Sequence, residues 1–572
     1  MNRLCISNEL FRFKELANEF AEAVPALAPF LGGSGKDPDV ERLLDTGAFS
    51  NGLLGSRLKS DFPEHVQNLT DLVLPHYLRP FPASTIVGFS PGPGMKGTVT
   101  IPSGTPLAST PVDGTTCWFT TTSDLEIHSL EIKDCQVGKG SANAVQIRLP
   151  VELKGVSLSE WRPGCLHVFL AGDRASATEL YKLLNTGLKR IEIVPCDGGS
   201  CVTLPPQSLK ALGYQERERL LPYPPHAFPG YRLLQEYFNA PEKFLFFELG
   251  GWERWENRGA GRQFTIIIDL EGHADEEQWI GHVAFVPNAV PAVNLFSRNA
   301  DPVYLNHRDR RYLIRPSGPT PHCHRVFTID RVTGLSRRTG RQRSYSPLEL
   351  FGSEVSSEPV YQVSFEKSPS GHGHDAYLRA AFPDGVDFIG GETLSMDLTC
   401  TNGTLPESLR VGDIRIPGPG MPPDVAFSNI TPVNPGVSLP LGPELLRQLT
   451  THLCLNLVTL GKTEHLHSLL RLYLHHDGKP DSPRAANKKR IEGIRGVKIA
   501  QSESMVEGVP VRGSDIRLKV REDHFAGPGD LYLFGCVLNR FFAEYAAINC
   551  YTRLTVEGLL RGENCQWSIR RK

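Results

Sequence analysis

Residues 88–92, Gly88-Phe89-Ser90-Pro91-Gly92, carry the GxSxG spacing of a nucleophile elbow. An elbow needs the backbone N–H after the serine as an oxyanion donor, and Pro91 has none. The segment therefore reads as a turn. Gly32-Gly33-Ser34-Gly35-Lys36 looks like a phosphate loop, but Asp37 stands where Ser or Thr must hold magnesium, and no strand pattern precedes it. Cys196 with Cys201, His322-Cys323-His324 and His372-Gly373-His374 each offer two or three metal ligands. Structural zinc wants four in paired close spacings, so these read as loops and no metal is expected. His452, His465, His467, His475 and His476 lack a ligand spacing and read as solvent-facing or carbonyl-capping side chains. The basic run Arg331, Arg337, Arg338, Arg341 and Arg343 has only Tyr345 as a stacking aromatic and reads as a solvated loop. Glu248, Glu253 and Glu256 beside Trp252 and Trp255 could line a sugar site. They keep open an alternative reading, a carbohydrate-active or ligand-binding β-rich protein. No catalytic residue and no cofactor is otherwise indicated.

The composition narrows the classes further. The 572 residues carry 61 basic and 63 acidic side chains, a net charge of −2, which gives no field for nucleic acid or an anionic membrane. Hydrophobic residues at 40% and charged residues at 22% are those of a folded globular chain with room for several domains. Glu9, Lys14, Glu15 and Glu19 occupy the place where a signal peptide would need its apolar centre, and no window is apolar enough to span a bilayer. The 12 cysteines show no CxxC pairing and read as reduced cytosolic thiols, so a cytoplasmic protein without membrane insertion is expected. Forty-five prolines and 54 glycines favour strands and turns over a helical bundle.

Periodicity then predicts an α+β multidomain architecture. An N-terminal helical segment covers residues 1–80, with Leu10, Phe13, Leu16, Phe20 and Val24 on one face and Asp37-Pro38 opening a second helix. A β-rich domain follows over 81–215, interrupted by a helix at 176–185. A second β-rich domain is expected over 261–425, including a strand and turn at 326–334. A C-terminal α/β domain over 426–572 has helices at 443–460, 466–475 and 530–545, and strands around Ile516, Leu518 and Val520 and at 550–556.

Between the β-rich domains, residues 216–260 form a proline-clamped junction. Pro222, Pro224, Pro225, Pro229 and Pro241 fix φ and remove amide donors on both sides of the helical pattern Gly230-Tyr231-Arg232-Leu233-Leu234-Gln235-Glu236-Tyr237-Phe238. Phe244-Leu245-Phe246-Phe247 then reads as a buried strand.

The phrases Phe228-Pro229-Gly230-Tyr231-Arg232 and Lys243-Phe244-Leu245-Phe246-Phe247-Glu248-Leu249 resemble the TssF (VasA or ImpG) family of type VI secretion baseplate subunits. So do Asp37-Pro38-Asp39-Val40, Pro75-His76-Tyr77-Leu78-Arg79-Pro80, Pro291-Ala292-Val293-Asn294-Leu295-Phe296 and Phe541-Phe542-Ala543-Glu544-Tyr545. That family is similar to wedge proteins of contractile-phage baseplates. Within these phrases and the first helix, the structural or interaction candidates are Phe13, Phe20, Asp37, Pro38, Tyr77, Pro229, Gly230, Tyr231, Phe244, Phe246, Phe247, Asn294, Phe296, Phe541, Phe542 and Tyr545. The resemblance implies a non-enzymatic wedge component that binds TssG, with a second TssF copy beside it. It also implies TssK and TssE within the baseplate, the VgrG spike and the sheath nearby, and docking at the inner-membrane complex. No nucleic-acid partner is implied.

Overall fold

A computed structural model describes residues 46, 67, 69–70, 74–92, 94–95, 97–139, 145–224, 227–271, 280–306, 309–318, 320, 323–336, 340–348, 359–368, 373–382, 391–439, 441, 457, 459–474, 483–506 and 508–571. The chain divides into two compact units, Met1–Val73 with Gly442–Leu446, and Leu74–Leu441 with Arg447–Lys572. Most of the expected N-terminal helical segment and the candidates Phe13, Phe20, Asp37 and Pro38 lie outside the described residues, as does 443–456 of the helix expected over 443–460, whose end is a 3-10 turn at Thr459–Gly461 rather than α-helix. All described residues from Leu74 onward belong to the second unit.

That unit is β-rich. One six-stranded sheet runs in the order Ile414–Pro417, Pro106–Ser109, Trp118–Thr121, Ala289–Val293, Ser84–Pro91, Val425–Asn429. Its buried face is lined by Val87, Phe89, Leu107, Phe119, Val290 and Ile414. The GxSxG segment belongs here and is not a turn: Gly88 pairs with Ala289 on one side and with Ser428 on the other. Pro91 ends the strand, where its missing donor costs the ladder nothing. A second sheet is built on Val145–Leu153, Gln263–Leu270 and Leu188–Pro195, and the burial of Val145, Ile147, Leu149, Val151 and Leu153 shows the period of two. A four-stranded sheet has the order Leu209–Ala211, Phe246–Leu249, Leu166–Ala171, Ala284–Pro287.

A larger sheet centres on Arg325–Ser336 and Glu392–Thr401. The strand expected to turn at Gly334 continues to Ser336. A Cβ at Gly334 would come within 2.6 Å of the Glu392 carboxylate and 2.7 Å of the Tyr345 ring, so glycine there makes room for their 2.7 Å hydrogen bond. His374, in the expected metal-free loop, opens the strand His374–Ala381 of the same sheet and is buried, its Nε2 donating to the Val326 carbonyl at 3.0 Å. Burial lowers its pKa, reinforced by Arg325 and opposed by that carbonyl and Asp375. The folded state thus refuses a proton that the unfolded chain accepts below about pH 6.5, and stability falls as pH drops through that value. Between pH 7.5 and 5.5, wild type is expected to lose more thermal stability than His374→Gln, and equal losses would contradict this account.

Among the described residues, five helices pack on these sheets: α1 (Arg174–Thr186), α2 (Pro229–Asn239), α3 (Thr463–Leu472), α4 (Pro483–Gly493) and α5 (Pro528–Glu544). Asp173 caps α1 by accepting from the Ser176 N–H, while proline opens α2 and α5. A long hairpin, Ile494–Val506 with Val509–Val520, lies beside Tyr551–Gly558, which runs parallel to its second strand. No described helix is long and apolar enough to cross a membrane.

Candidate functional site

Every residue of α2 from Gly230 to Phe238 is buried, including three that carry charge or a polar amide. Glu236 makes that possible. Its carboxylate accepts from Arg232 Nη1 at 3.1 Å, Lys243 Nζ at 2.5 Å and the Leu220 N–H at 2.8 Å. The cations have carbonyls for their remaining donors: Lys243 reaches Glu218 O at 3.0 Å and Arg232 Nη2 reaches Tyr214 O at 3.0 Å. Burial, assisted by Arg232, brings the Lys243 pKa down to about 8, against the pull of Glu236. Phe244 is not strand: Pro241 opens a 3-10 turn over Pro241–Phe244, within which Lys243 reaches Glu236, and the strand begins at Phe246.

A second buried charge joins three helices. Asp530, in the first turn of α5, has no exposed side-chain surface and accepts from Arg490 Nε of α4 at 2.7 Å and Arg174 Nη2 of α1 at 3.2 Å. The helix N-terminus adds its own favourable potential to the carboxylate. Arg490 also grips Asn487 at 2.7 Å, and Asn487 donates to the Phe238 carbonyl of α2 at 3.1 Å.

The aromatic candidates converge nearby. Gly230 sits so close to Phe228 and Phe541 that a Cβ would lie 2.6 Å and 3.1 Å from their rings. Tyr231 stacks on His76 and Tyr473 and bonds the Tyr545 hydroxyl at 2.7 Å. Tyr77 gives its hydroxyl proton to Leu472 O at 2.9 Å. Tyr223 donates to Phe228 O at 2.7 Å, so its contact with His76 Nδ1 at 3.2 Å places the proton on that nitrogen. Residues from 76 to 545 thus share one aromatic cluster, in which Phe541 and Phe542 are fully buried. Tyr231→Phe and Tyr545→Phe are each expected to cost about 1 kcal/mol in denaturant unfolding. The double variant should cost less than the sum; strict additivity would mean that the bond contributes nothing.

The other candidates are also interior. Phe244 packs on Tyr214, Phe246 on Phe169 at 4.8 Å and Phe247 on Tyr181 at 5.3 Å between ring centroids. Asn294 is wholly buried, donating to Trp118 O and accepting from the Thr401 hydroxyl and the Asn402 N–H, each at 2.7 Å. It ties the Trp118–Thr121 strand of the six-stranded sheet to the end of Glu392–Thr401 in the larger sheet, and Phe296, two residues further on, packs edge-on against His324.

Of the chemistry weighed from sequence, the tryptophan and glutamate group is not a sugar platform. Trp252 and Trp255 are buried against Phe264, and Arg258 donates to the carbonyls of Trp161, Trp252 and Trp255. His465 and His467 bond the carbonyls of Thr459 and Ile494. His322, His372, His452, His475, His476, Arg337 and Arg338 lie outside the described residues, while Arg343 approaches Glu392 at 3.7 Å.

Sequence reasoning missed one cluster. Cys165, His167 and Glu248 bring a thiol, an imidazole and a carboxylate within 4.8 Å of one another. They line a cavity of ≈ 270 Å³ with Arg217, Leu212 and Phe246. Burial works against a proton on His167, but bonds to Cys165 and Glu248 outweigh it and lift the pKa to about 9. Cys165 and His167 are two apart, as on one strand face, but nothing in the sequence places Glu248 opposite them.

Against known proteins, residues 6–571 match the family model described as "Type VI secretion system, TssF". The "Type VI secretion system component TssF1" of Pseudomonas aeruginosa is 28% identical over 643 residues, spanning 99% of this chain and 97% of that one. A chain in the cryo-electron microscopy structure of a type VI secretion system TssK-TssF-TssG baseplate subcomplex superposes with a TM-score of 0.78 at 26% identity, over 93% of this chain and 99% of that one. A chain of a second structure, a type VI baseplate complex, has the same fold, with a TM-score of 0.68 at 23% identity over 99% and 98% of the two chains.

Proposed function

The chain belongs to the type VI secretion system TssF family, and from that premise we propose that it is a structural, non-enzymatic wedge component of the baseplate, held by TssG and adjoining TssK. The observation that carries this reading is the fold likeness to the TssK-TssF-TssG subcomplex, which extends over 93% of the chain. A part in such a platform must keep its shape under load. The two buried charge networks and the aromatic cluster bind α1, α2, α4 and α5 into one body, and each loses much of its stabilisation if a single partner moves. The signature residues among those described therefore serve the frame, and we infer that the face that meets TssG is made of other side chains.

We read the finer arrangement in the same way: two copies around one TssG, TssE and the VgrG spike adjoining the wedge, the sheath polymerising above it, and the whole docked in the cytoplasm at the inner-membrane complex. Loss of the chain from a strain with a fluorescent sheath is expected to abolish sheath assembly, and re-expression to restore it. Sheaths of normal number and length without the chain would refute a platform role.

A further inference from the structure

We propose that Cys165, His167 and Glu248 form a binding site for a single zinc ion, with the fourth coordination position open to the adjoining cavity. The inference goes beyond the baseplate role and stands on the geometry of two strands. Leu166–Ala171 and Phe246–Leu249 are antiparallel neighbours in which Glu248 lies directly opposite His167. Cys165 precedes His167 by two residues, so side-chain alternation brings both to one face.

Cys165 Sγ lies 3.6 Å from His167 Nε2, which lies 3.4 Å from Glu248 Oε2. A tetrahedral zinc with a Zn–S bond of about 2.3 Å and Zn–N and Zn–O bonds of about 2.0–2.1 Å sets ligand edges of about 3.4–3.6 Å. The two edges that meet at His167 Nε2 fit these values, and the sulfur and the carboxylate oxygen lie within 4.8 Å of each other. Among the described residues this is the one cluster of three metal-capable groups so placed.

Both contacts fall on the same ring nitrogen. A thiol–imidazole–carboxylate relay would need the thiol on one nitrogen and the carboxylate on the other, so the group is not built as a nucleophile. A single N–H also cannot point at sulfur and oxygen together. Three donors converging on one point instead suit one cation. Thiolate and carboxylate balance a dication, and the mixed sulfur, nitrogen and oxygen set suits zinc over calcium or magnesium.

The backbone around Cys165 is held in place: its N–H donates to the Glu126 carboxylate at 3.3 Å, and its carbonyl accepts from His128 Nε2 at 2.8 Å. Such outer contacts fix a ligand's orientation before the metal arrives. The side chains of His167 and Glu248 are 19% and 21% exposed, which leaves an approach, and the ≈ 270 Å³ cavity has room for a water ligand.

The test uses the full chain with the exposed Cys196 and Cys201 replaced by serine throughout, since that pair could take up zinc by itself. After incubation with zinc and desalting, this parent is expected to retain about one zinc per chain. With cobalt it should show a thiolate-to-metal charge-transfer band. Cys165→Ser should lose both, and Glu248→Gln should weaken binding by at least about tenfold. Circular dichroism without metal checks that both variants are folded; if Cys165→Ser is not, the Glu248→Gln comparison decides. Retention by the parent no greater than by a folded variant, or a cobalt–thiolate band that persists in Cys165→Ser, would overturn the assignment.

Discussion

Glu236→Ala is expected to lower unfolding stability by about 3–5 kcal/mol, because it leaves Arg232 charged, buried and without its counter-ion and drives the buried Lys243 toward losing its proton. The side chains of Glu236 and Lys243 are each 1% exposed and that of Arg232 is 6%, so water cannot replace the lost carboxylate unless the helix opens. Leu220 also loses an acceptor for its N–H. Glu236→Gln keeps the shape and one acceptor oxygen but not the charge, and its loss should be nearly as large. A third variant separates charge from shape. Replacing Arg232, Glu236 and Lys243 together by Met, Leu and Met should cost less than Glu236→Ala alone, since an apolar set needs no desolvated ions. Midpoints of urea unfolding check all three, and a loss under about 1 kcal/mol for Glu236→Ala would show that the network contributes little.

Gly529→Ala is expected to cost at least about 2 kcal/mol, although alanine is the better helix former by about 1 kcal/mol. Gly529 stands at the start of α5, where α5 crosses α1, and a Cβ there would lie 2.3 Å from the carbonyl carbon and oxygen of Thr178. Its N–H donates to Glu179 at 2.6 Å, which holds the crossing close. Backbone cannot rotate away as a side chain can, so the helices must separate, and the Asp530 bonds to Arg174 and Arg490 lengthen with them. Gly535→Ala provides the contrast: its Cβ would meet the tip of the Trp567 ring at 2.2 Å, and that ring can shift. The loss at 529 should exceed the loss at 535; the reverse order would show that the crossing is not the tight point of the body.

Much of the local structure was legible because it depends on near neighbours. The apolar period of 530–545 gives α5, and the run Phe264-Thr265-Ile266-Ile267-Ile268 gives the strand Gln263–Leu270. Periodicity reports which face is buried but not against what. Tyr231 and Tyr545 stand 314 residues apart, and the six-stranded sheet draws strands from 84–121 and from 289–429. Pairings of that kind depend on which faces complement one another in three dimensions. The apolar run at 244–247 misled at its start, because the turn opened by Pro241 extends through Phe244 and the strand begins only at Phe246. The zinc cluster escaped notice because its third member comes from a strand 81 residues away.

The central claim is that this chain is a wedge part built around a buried frame and held by TssG. Co-expression with the TssG of the same secretion system, followed by size-exclusion chromatography with light scattering, tests it most directly. The account predicts one stable peak whose mass corresponds to two copies of this 63.2 kDa chain with one TssG. A chain that elutes alone as a folded monomer, with TssG in a separate peak, would contradict it.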